Sequence, residues 1–574
     1  MRRGFRARLI LLTALAALFF GVLLTRFYWV QVHRHDELLK KAQKKYTAKR
    51  ISKGRRGMIF DSTRSPEPNI LAMTRVTYEI NATPSHMGTR KGEIFKTLVE
   101  ETGVDEDLLR QRFDNEKLVQ VVVAKGVTME KVMKLREMKL PGLIYKESQT
   151  RFYPKNSLAS NLIGFLSHTE KGVSGIEKKF NKEMTPTTGE VVIERSAKNK
   201  ELNTLKSINP KDGWDVYLTI SEPIQSFMEE ELNRLVKEIP CKSVYAMMTN
   251  PRTGAVMAMA QRPTFNPNDR STMQRDRYAM RMLEDVFEPG STMKACSIAV
   301  VMALRNFSFN DKIDCEDGLW FYAGRPLRDA GHNYGNIAIW EVIQKSSNIG
   351  TAKLSLAIGK HAMYAGLRRF GFGEYSGLDL GTESRGIFRH VDKWDGLSIT
   401  RMPIGQGIAV TVPQMMQAWG ALANDGNMMQ LRVVDKLKKP DTGEVVEFPP
   451  QLKRRVLPLR VTQGMTDALK TVTREGGTAQ KAHVPGYYVA GKTGTSQKWV
   501  NGAYSNRIHV ASFVGYAPAD NPEFVLMVMV DEPSYKYRYG GTAAAPTFRR
   551  IAEKTLRYLN VTPDIPEEIK DEVE

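Results

Sequence analysis

Cysteine is scarce: the chain has three in 574 residues, Cys241, Cys296 and Cys315. None forms a CxxC pair, and their number builds no disulfide framework, so neither a thiolate metal cluster nor a disulfide scaffold organises the fold. The count is silent on compartment. Histidines such as His332 are scattered without metal-ligand spacing, so no metal and no cofactor is expected. No internal repeat is evident. Acidic residues are in deficit, with 84 Lys+Arg against 63 Asp+Glu and a net charge of +21. Such a balance suits an anionic membrane surface or a wall polymer as well as nucleic acid. The basic residues are dispersed rather than interleaved with aromatics, and no nucleic-acid module is present, which places nucleic acid last among the partners.

One long apolar run stands at the start. From Leu9 to Thr25 the chain is uncharged and mostly apolar, bounded by Arg8 and Arg26 and continued by Phe27-Tyr28-Trp29-Val30. The spacing predicts a transmembrane helix over 9–30 with an aromatic belt. Cleavage after Ala14-Leu15-Ala16 would leave an apolar region too short for a signal peptide. Arg2, Arg3, Arg6 and Arg8 favour an inside N-terminus, whereas Lys40, Lys41, Lys44, Lys45, Lys49 and Arg50 load the other flank. A long domain translocates largely regardless of its charge, so the expected tail 1–8 is cytoplasmic and the rest extracytoplasmic.

Three short motifs follow in order. Ser291-Thr292-Met293-Lys294 comes after the breaker pair Pro289-Gly290 and opens the apolar run Ala295 to Leu304, a buried helix. Lys294 lies one turn from Ser291 on the same face, where a lysine of lowered proton affinity can act as base for the hydroxyl. Taken alone, Ser291 reads equally as an N-cap. In Ser346-Ser347-Asn348 the first and third side chains converge only on a turn, as a relay hydroxyl and a substrate-binding amide; alone, they read as caps for a helix from Thr351. Lys492-Thr493-Gly494-Thr495 ends a β-rich stretch with paired glycines, which suits an edge strand able to bind an extended peptide. Lys492 and the Thr493 and Thr495 hydroxyls could hold a carboxylate, and the backbone NH groups of Ser291 and Thr495 form the natural oxyanion pair. A lysine on such a strand is otherwise an exposed gatekeeper.

SxxK, SxN and KTG in this order are the signatures of penicillin-binding proteins and class A β-lactamases. Over nearly its whole length the chain resembles the class B penicillin-binding proteins, bitopic peptidoglycan transpeptidases. Asp285-Val286-Phe287-Glu288-Pro289-Gly290 and Phe265-Asn266-Pro267-Asn268 resemble the approach to that family's nucleophile. Gly405-Gln406-Gly407, Thr411-Val412-Pro413-Gln414 and Ala423-Asn424-Asp425-Gly426 resemble its glycine-rich middle, and Ser512-Phe513-Val514-Gly515-Tyr516-Ala517-Pro518 with Tyr539-Gly540-Gly541 its last strands and turn. Arg56-Gly57 with Asp61, Arg151-Phe152-Tyr153-Pro154 and Gly175-Ile176-Glu177 resemble its non-catalytic pedestal. Asp61-Ser62-Thr63-Arg64, Pro66, Pro68, Asn156 and Ser221 depart from the family pattern, all outside the motifs. The length and the phrasing around Ser291 are most similar to division-specific, FtsI-type members.

The resemblance implies an α+β fold of the serine β-lactamase-like transpeptidase kind, with helices on an antiparallel sheet, beside an elongated mixed α+β pedestal and one membrane helix. It implies that Ser291 attacks the penultimate D-alanine carbonyl, that Lys294 accepts the proton, and that Ser346 with Lys492 relays it. Asn348, Thr493, Gly494 and Thr495 bind substrate. The implied partners are peptidoglycan stem peptides, β-lactams, the membrane, an FtsW-type SEDS-family glycosyltransferase and divisome proteins. Residues 31–53 are expected to be a basic juxtamembrane segment, helical from His33 to Arg50, and 54–214 the pedestal. Residues 215–562 are expected to be the transpeptidase domain and 563–574 an acidic disordered tail. A β-lactamase, a β-lactam sensor, a non-catalytic scaffold and an elongation-specific enzyme are the other readings of the same motifs.

Overall fold

The computed structural model describes residues 2–63, 67–115, 118–195, 201–331 and 333–565. Arg64, Pro66, His332 and the acidic tail beyond residue 565 lie outside the described residues. Two compact units emerge: the described residues up to Arg55 with those between Thr185 and Gly213, and Arg56–Met184 with the described residues from Trp214 onward.

The first unit begins with a helix, Arg2–Tyr28, that takes in the expected tail and slips into a π-helical turn at Trp29–His33. Arg3–His33 is long and apolar enough to cross a membrane, with a mean hydropathy of 2.4 in its most apolar window. Arg26 and Arg34 stack over Trp29 at 5.1 and 5.2 Å, an interfacial anchor of aromatic body and charged tips. The basic helix is shorter than expected: it covers His35–Tyr46, and Thr47–Lys53 is a strand pairing antiparallel with Thr188–Arg195, which pairs in turn with Glu201–Ile208. The reason is long-range, since the strand's partner lies far along the chain.

In the second unit, the expected boundary at 214/215 falls at a strand shared by both sides. Asp215–Leu218 pairs in parallel with Ile59–Phe60 and antiparallel with Val434–Lys438, so one seven-stranded sheet runs across the expected boundary. Beside it the Glu177 carboxylate, fully buried, accepts from Arg56 Nε at 2.8 Å and from Arg151 Nε at 2.7 Å. Two guanidinium groups neutralise a charge that could not otherwise be buried.

The part of this unit that carries the three motifs is built on a five-stranded antiparallel sheet. We label helix α1 (Glu222–Glu238), strands β1 (Ser243–Thr249) and β2 (Val256–Arg262), helices α2 (Met293–Leu304), α3 (Asn348–Leu356) and α4 (Val412–Leu422), strands β3 (Ala490–Val500), β4 (Ala503–Ala517) and β5 (Phe524–Asp531), and helix α5 (Ala545–Tyr558). The order is β2-β1-β5-β4-β3, so β3, which carries KTG, is an outer strand. Every residue of β1 and of β5 is buried, so both faces of the sheet are covered. Helices α1 and α5 pack on each other, joined by Arg550 and Glu231, and α2 packs on α3 and α4. An Asn501-Gly502 turn with both residues left-handed joins β3 to β4, matching the twist of the paired strands. Helix α2, apolar on every face except at Lys294 and Ser297, is buried from Met293 to Met302, as a helix at the centre of a domain must be. Each large apolar side chain it buries contributes about 1.5–3 kcal/mol.

The expected tail starts later than 563. Asp564 Oδ2 accepts from Tyr488 N at 3.1 Å and Ile565 N donates to Gly486 O at 3.1 Å, so the first tail residues are bonded to the loop that leads into β3.

Candidate active site

The turn that carries Ser291 is set by glycine. Gly290–Thr292 forms a 3₁₀ turn before α2, with Gly290 left-handed at φ +54°. A Cβ there would stand 2.7 Å from Thr495 O and 3.3 Å from Thr495 N, so the turn and the KTG strand touch backbone to backbone. At the same contact a Cβ on Gly494 would stand 2.9 Å from Pro289 O and 3.0 Å from Thr292 Cγ2. Both glycines are therefore steric requirements of one joint, which sets the backbone of Ser291 beside that of Thr495. Ser291 is half-buried, and Lys294, one turn along, is completely buried.

The second motif closes on Lys294. Its Nζ donates to Ser346 O at 2.6 Å, Ser346 Oγ at 3.1 Å and Asn348 Oδ1 at 2.7 Å. A charged ammonium has three donors, and these three acceptors use them all. The neutral amine has two donors and a lone pair, and the Ser346 hydroxyl, able to donate as well as accept, can serve either form. Burial lowers the Lys294 pKa to about 7, against the opposing charge of Asp329 and the nearby Cys315 thiol. Lysine poised at that value is a general base at neutral pH.

The expected turn and the expected cap are both present, divided between adjacent serines. Ser346 is left-handed at φ +60°, a conformation that a residue with a Cβ adopts at a cost, and it aims its oxygen atoms at Lys294. Ser347 is the N-cap of α3, accepting from Gly350 N at 2.9 Å, and the helix starts at Asn348, earlier than Thr351. Asn348 Nδ2 donates to Arg328 O at 2.7 Å, which leaves its second N–H for a ligand carbonyl.

Lys492 is also completely buried, and its amine donates to Thr493 Oγ1 at 3.4 Å. Burial, then the positive charge of Lys294, pushes its pKa well below the ordinary lysine value. Thr493 Oγ1 lies 3.2 Å from Thr478 Oγ1, and Thr495 Oγ1 accepts from Gly540 N at 3.3 Å. The structure thus joins Lys294, Ser346 and Asn348 by direct bonds. It brings the Lys492 charge within reach of Lys294 and seats Ser291 against Thr495.

Asp329 and Thr478 stand outside every motif singled out in the sequence. Thr478 follows a Gly-Gly pair, a turn signal that could have marked it. Asp329 has no local signature, since a hairpin formed by Leu319–Tyr322 and Arg325–Arg328 delivers it to the second motif. Beside the nucleophile turn, a cleft of about 830 Å³ is lined by Glu288, Arg389, Gly407 and Ser496–Trp499, and holds none of the motif lysines. Glu288 Oε1 accepts there from Gly407 N and Tyr504 OH, both at 2.9 Å, and burial raises its carboxyl pKa.

Comparison with known proteins gives a concordant picture. Residues 244–553 match the penicillin binding protein transpeptidase domain, and residues 51–218 match the penicillin-binding protein dimerisation domain. Peptidoglycan D,D-transpeptidase FtsI of Escherichia coli is 30% identical over 563 residues, which span 97% of this chain and 92% of that protein. A probable peptidoglycan D,D-transpeptidase, PenA of Neisseria meningitidis, is 27% identical over 97% of this chain and 93% of its own length. Among solved structures, penicillin binding protein 3 of Mycobacterium tuberculosis, complexed with aztreonam, superposes with a TM-score of 0.69 at 27% identity. It covers 90% of this chain and 99% of that one.

Proposed function

This chain belongs to the class B penicillin-binding proteins and is a membrane-anchored peptidoglycan D,D-transpeptidase of the FtsI type, and from that premise we propose that Ser291 is its nucleophile. The observation that carries the assignment is the environment of Lys294, one turn from Ser291: buried, lowered to about 7, and bonded to the SxN segment on every donor.

Neutral Lys294 takes the Ser291 hydroxyl proton as Oγ attacks the penultimate D-alanine carbonyl. The carbonyl oxygen becomes an oxyanion between the NH groups of Ser291 and Thr495. Collapse breaks the peptide bond, and the proton passes from Lys294 through Ser346, with Lys492 in the relay, to the departing D-alanine amine. An amine of a second stem peptide then attacks the Ser291 ester, and its proton returns along the same path as Oγ leaves. Lys492, the Thr493 and Thr495 hydroxyls and the strand at Gly494 hold the donor's terminal carboxylate, and Asn348 takes a donor-peptide carbonyl. β-Lactams acylate Ser291 by the same route.

The N-terminal tail is cytoplasmic and the catalytic unit extracytoplasmic, with residues 54–214 as pedestal and 215–562 as transpeptidase domain. The enzyme works in septal wall synthesis with an FtsW-type SEDS-family glycosyltransferase and other divisome proteins. The FtsI relative supports that role. Midcell enrichment of a tagged protein during growth checks it, and uniform sidewall signal reverses it.

Labelling by a fluorescent penicillin tests the nucleophile. The wild type should be labelled covalently and Ser291→Ala not at all, with its melting temperature preserved. Equal labelling of the mutant sinks the assignment.

A further inference from the structure

Why the SxN segment stands where Lys294 can use it is answered by a residue that none of the three motifs contains. Asp329 is buried, with 6% of its surface exposed, at the end of the Arg325–Arg328 strand. Its Oδ2 accepts from Ser347 Oγ at 2.7 Å, and its Oδ1 accepts from Asn348 N at 2.5 Å and Ile349 N at 3.1 Å. The preceding carbonyl, Arg328 O, takes Asn348 Nδ2 at 2.7 Å. Two consecutive residues of the hairpin therefore collect four donors from Ser347, Asn348 and Ile349. A carboxylate at the first turn of α3 is also favoured by the helix dipole.

We propose that Asp329 is the positioning residue of this active site: by gripping Ser347 and the first amides of α3, it turns Ser346 and Asn348 toward Lys294 and sets the charge that the base feels. The proposal rests on the acyl-enzyme reading above. Without Asp329 the left-handed turn at Ser346 loses the anchor that sustains it, because a strained backbone persists only where its surroundings over-determine it. The groups whose charge reaches Lys294 are Asp329, Cys315 and Lys492. Tyr334 faces Asp329 and Cys315, and Lys353 faces Cys315. Of these, the Asp329 carboxylate is the one bonded to the SxN segment, and its charge opposes the effect of burial on Lys294.

Two substitutions separate grip from charge. Asp329→Asn keeps the shape and an oxygen acceptor for the Asn348 and Ile349 amides while removing the charge. Ser347→Ala keeps the charge and removes the Ser347 Oγ bond to Asp329 together with the cap bond from Gly350 N. The measurement is the second-order rate of acylation of the full-length protein in detergent by a fluorescent penicillin, followed across the pH range that brackets Lys294. For Asp329→Asn, Lys294 loses its proton more readily, so the acid limb moves to lower pH by about one unit. For Ser347→Ala, the limb stays and the plateau falls about 10-fold or more, as expected for misplaced catalytic groups. A purely structural role for Asp329 would lower stability and leave the limb in place.

An Asp329→Asn limb that coincides with the wild type, or a Ser347→Ala plateau equal to the wild type, overturns the proposal. Thermal melts run alongside establish that each variant is folded. Ser291→Ala, measured in parallel, keeps the two readings apart: if it is still labelled, the nucleophile assignment fails, and if it is silent while both variants behave as wild type, only the role of Asp329 fails.

Discussion

Asn348 Oδ1 accepts from Lys294 Nζ at 2.7 Å, so the amide assigned to substrate also holds the base. Charge at this atom should therefore reset the base, while the same substitution gives up the Asn348 Nδ2 bond to Arg328 O. Asn348→Asp places a carboxylate on a buried amine whose pKa is about 7, and an opposite charge at that range raises it by roughly 1–3 units. Acylation in the wild type should rise with pH through about 7 as Lys294 loses its proton. In Asn348→Asp the rise should begin at higher pH, with activity suppressed at neutral pH and partly recovered in alkali. The pH profile of penicillin acylation measures this; an unchanged acid limb contradicts the assignment of Lys294 as base.

Gly290→Ala tests the joint between nucleophile turn and KTG strand. The added Cβ would stand 2.7 Å from Thr495 O at a φ of +54°, and the contacting atom is backbone that cannot swing away. Overpacking of this kind costs about 1–3 kcal/mol before the left-handed strain is added. We expect a lower melting temperature and acylation reduced by two orders of magnitude or so, since a 1 Å misplacement has that effect. Retention of full acylation would show that Ser291 does not depend on this contact.

Ser346 carries backbone strain and the hydroxyl proposed as relay in one residue, and two substitutions pull them apart. Ser346→Ala and Ser346→Gly both remove the oxygen 3.1 Å from Lys294, so both should acylate slowly. Only glycine relieves the left-handed φ of +60°, and it should be the more stable of the two by about 1 kcal/mol. Denaturant melts of the pair decide it. Equal stability would mean that the turn holds no strain.

Glu177→Ala should act on the scaffold alone. It leaves Arg56 and Arg151, 7% and 5% exposed at their side chains, as buried cations without their shared counter-charge. Breaking such a pair costs about 3–5 kcal/mol. Acylation per folded molecule should match the wild type, while thermal stability falls. A melting temperature within error of the wild type would show that the cluster contributes no net stability.

Much of the site was legible because its first two motifs are local. An i, i+3 spacing on an apolar helix places Ser291 and Lys294 on one face whatever surrounds them. A polar Ser-Ser-Asn-Ile-Gly stretch can only turn and cap, and here it does both. The strand at Thr47–Lys53 was not legible, because a basic run continues a helix in the absence of its partner at Thr188–Arg195. Asp329 was not legible either. Its three donors lie almost twenty residues downstream, and neither the hairpin that precedes it nor the stretch between them records that they meet.

By itself the sequence determined the chemistry available: one apolar anchor, a serine one helical turn from a lysine, a polar cap and a glycine-punctuated strand. These follow from short-range sterics and periodicity, which each residue and its near neighbours decide. Only the tertiary structure decided that Lys294 gives up its proton near neutral pH, because that depends on complete burial beside Lys492, two hundred residues away, and against Asp329. Desolvation and charge proximity are properties of the packed whole, so the order of motifs could name the reacting groups but not set their protonation.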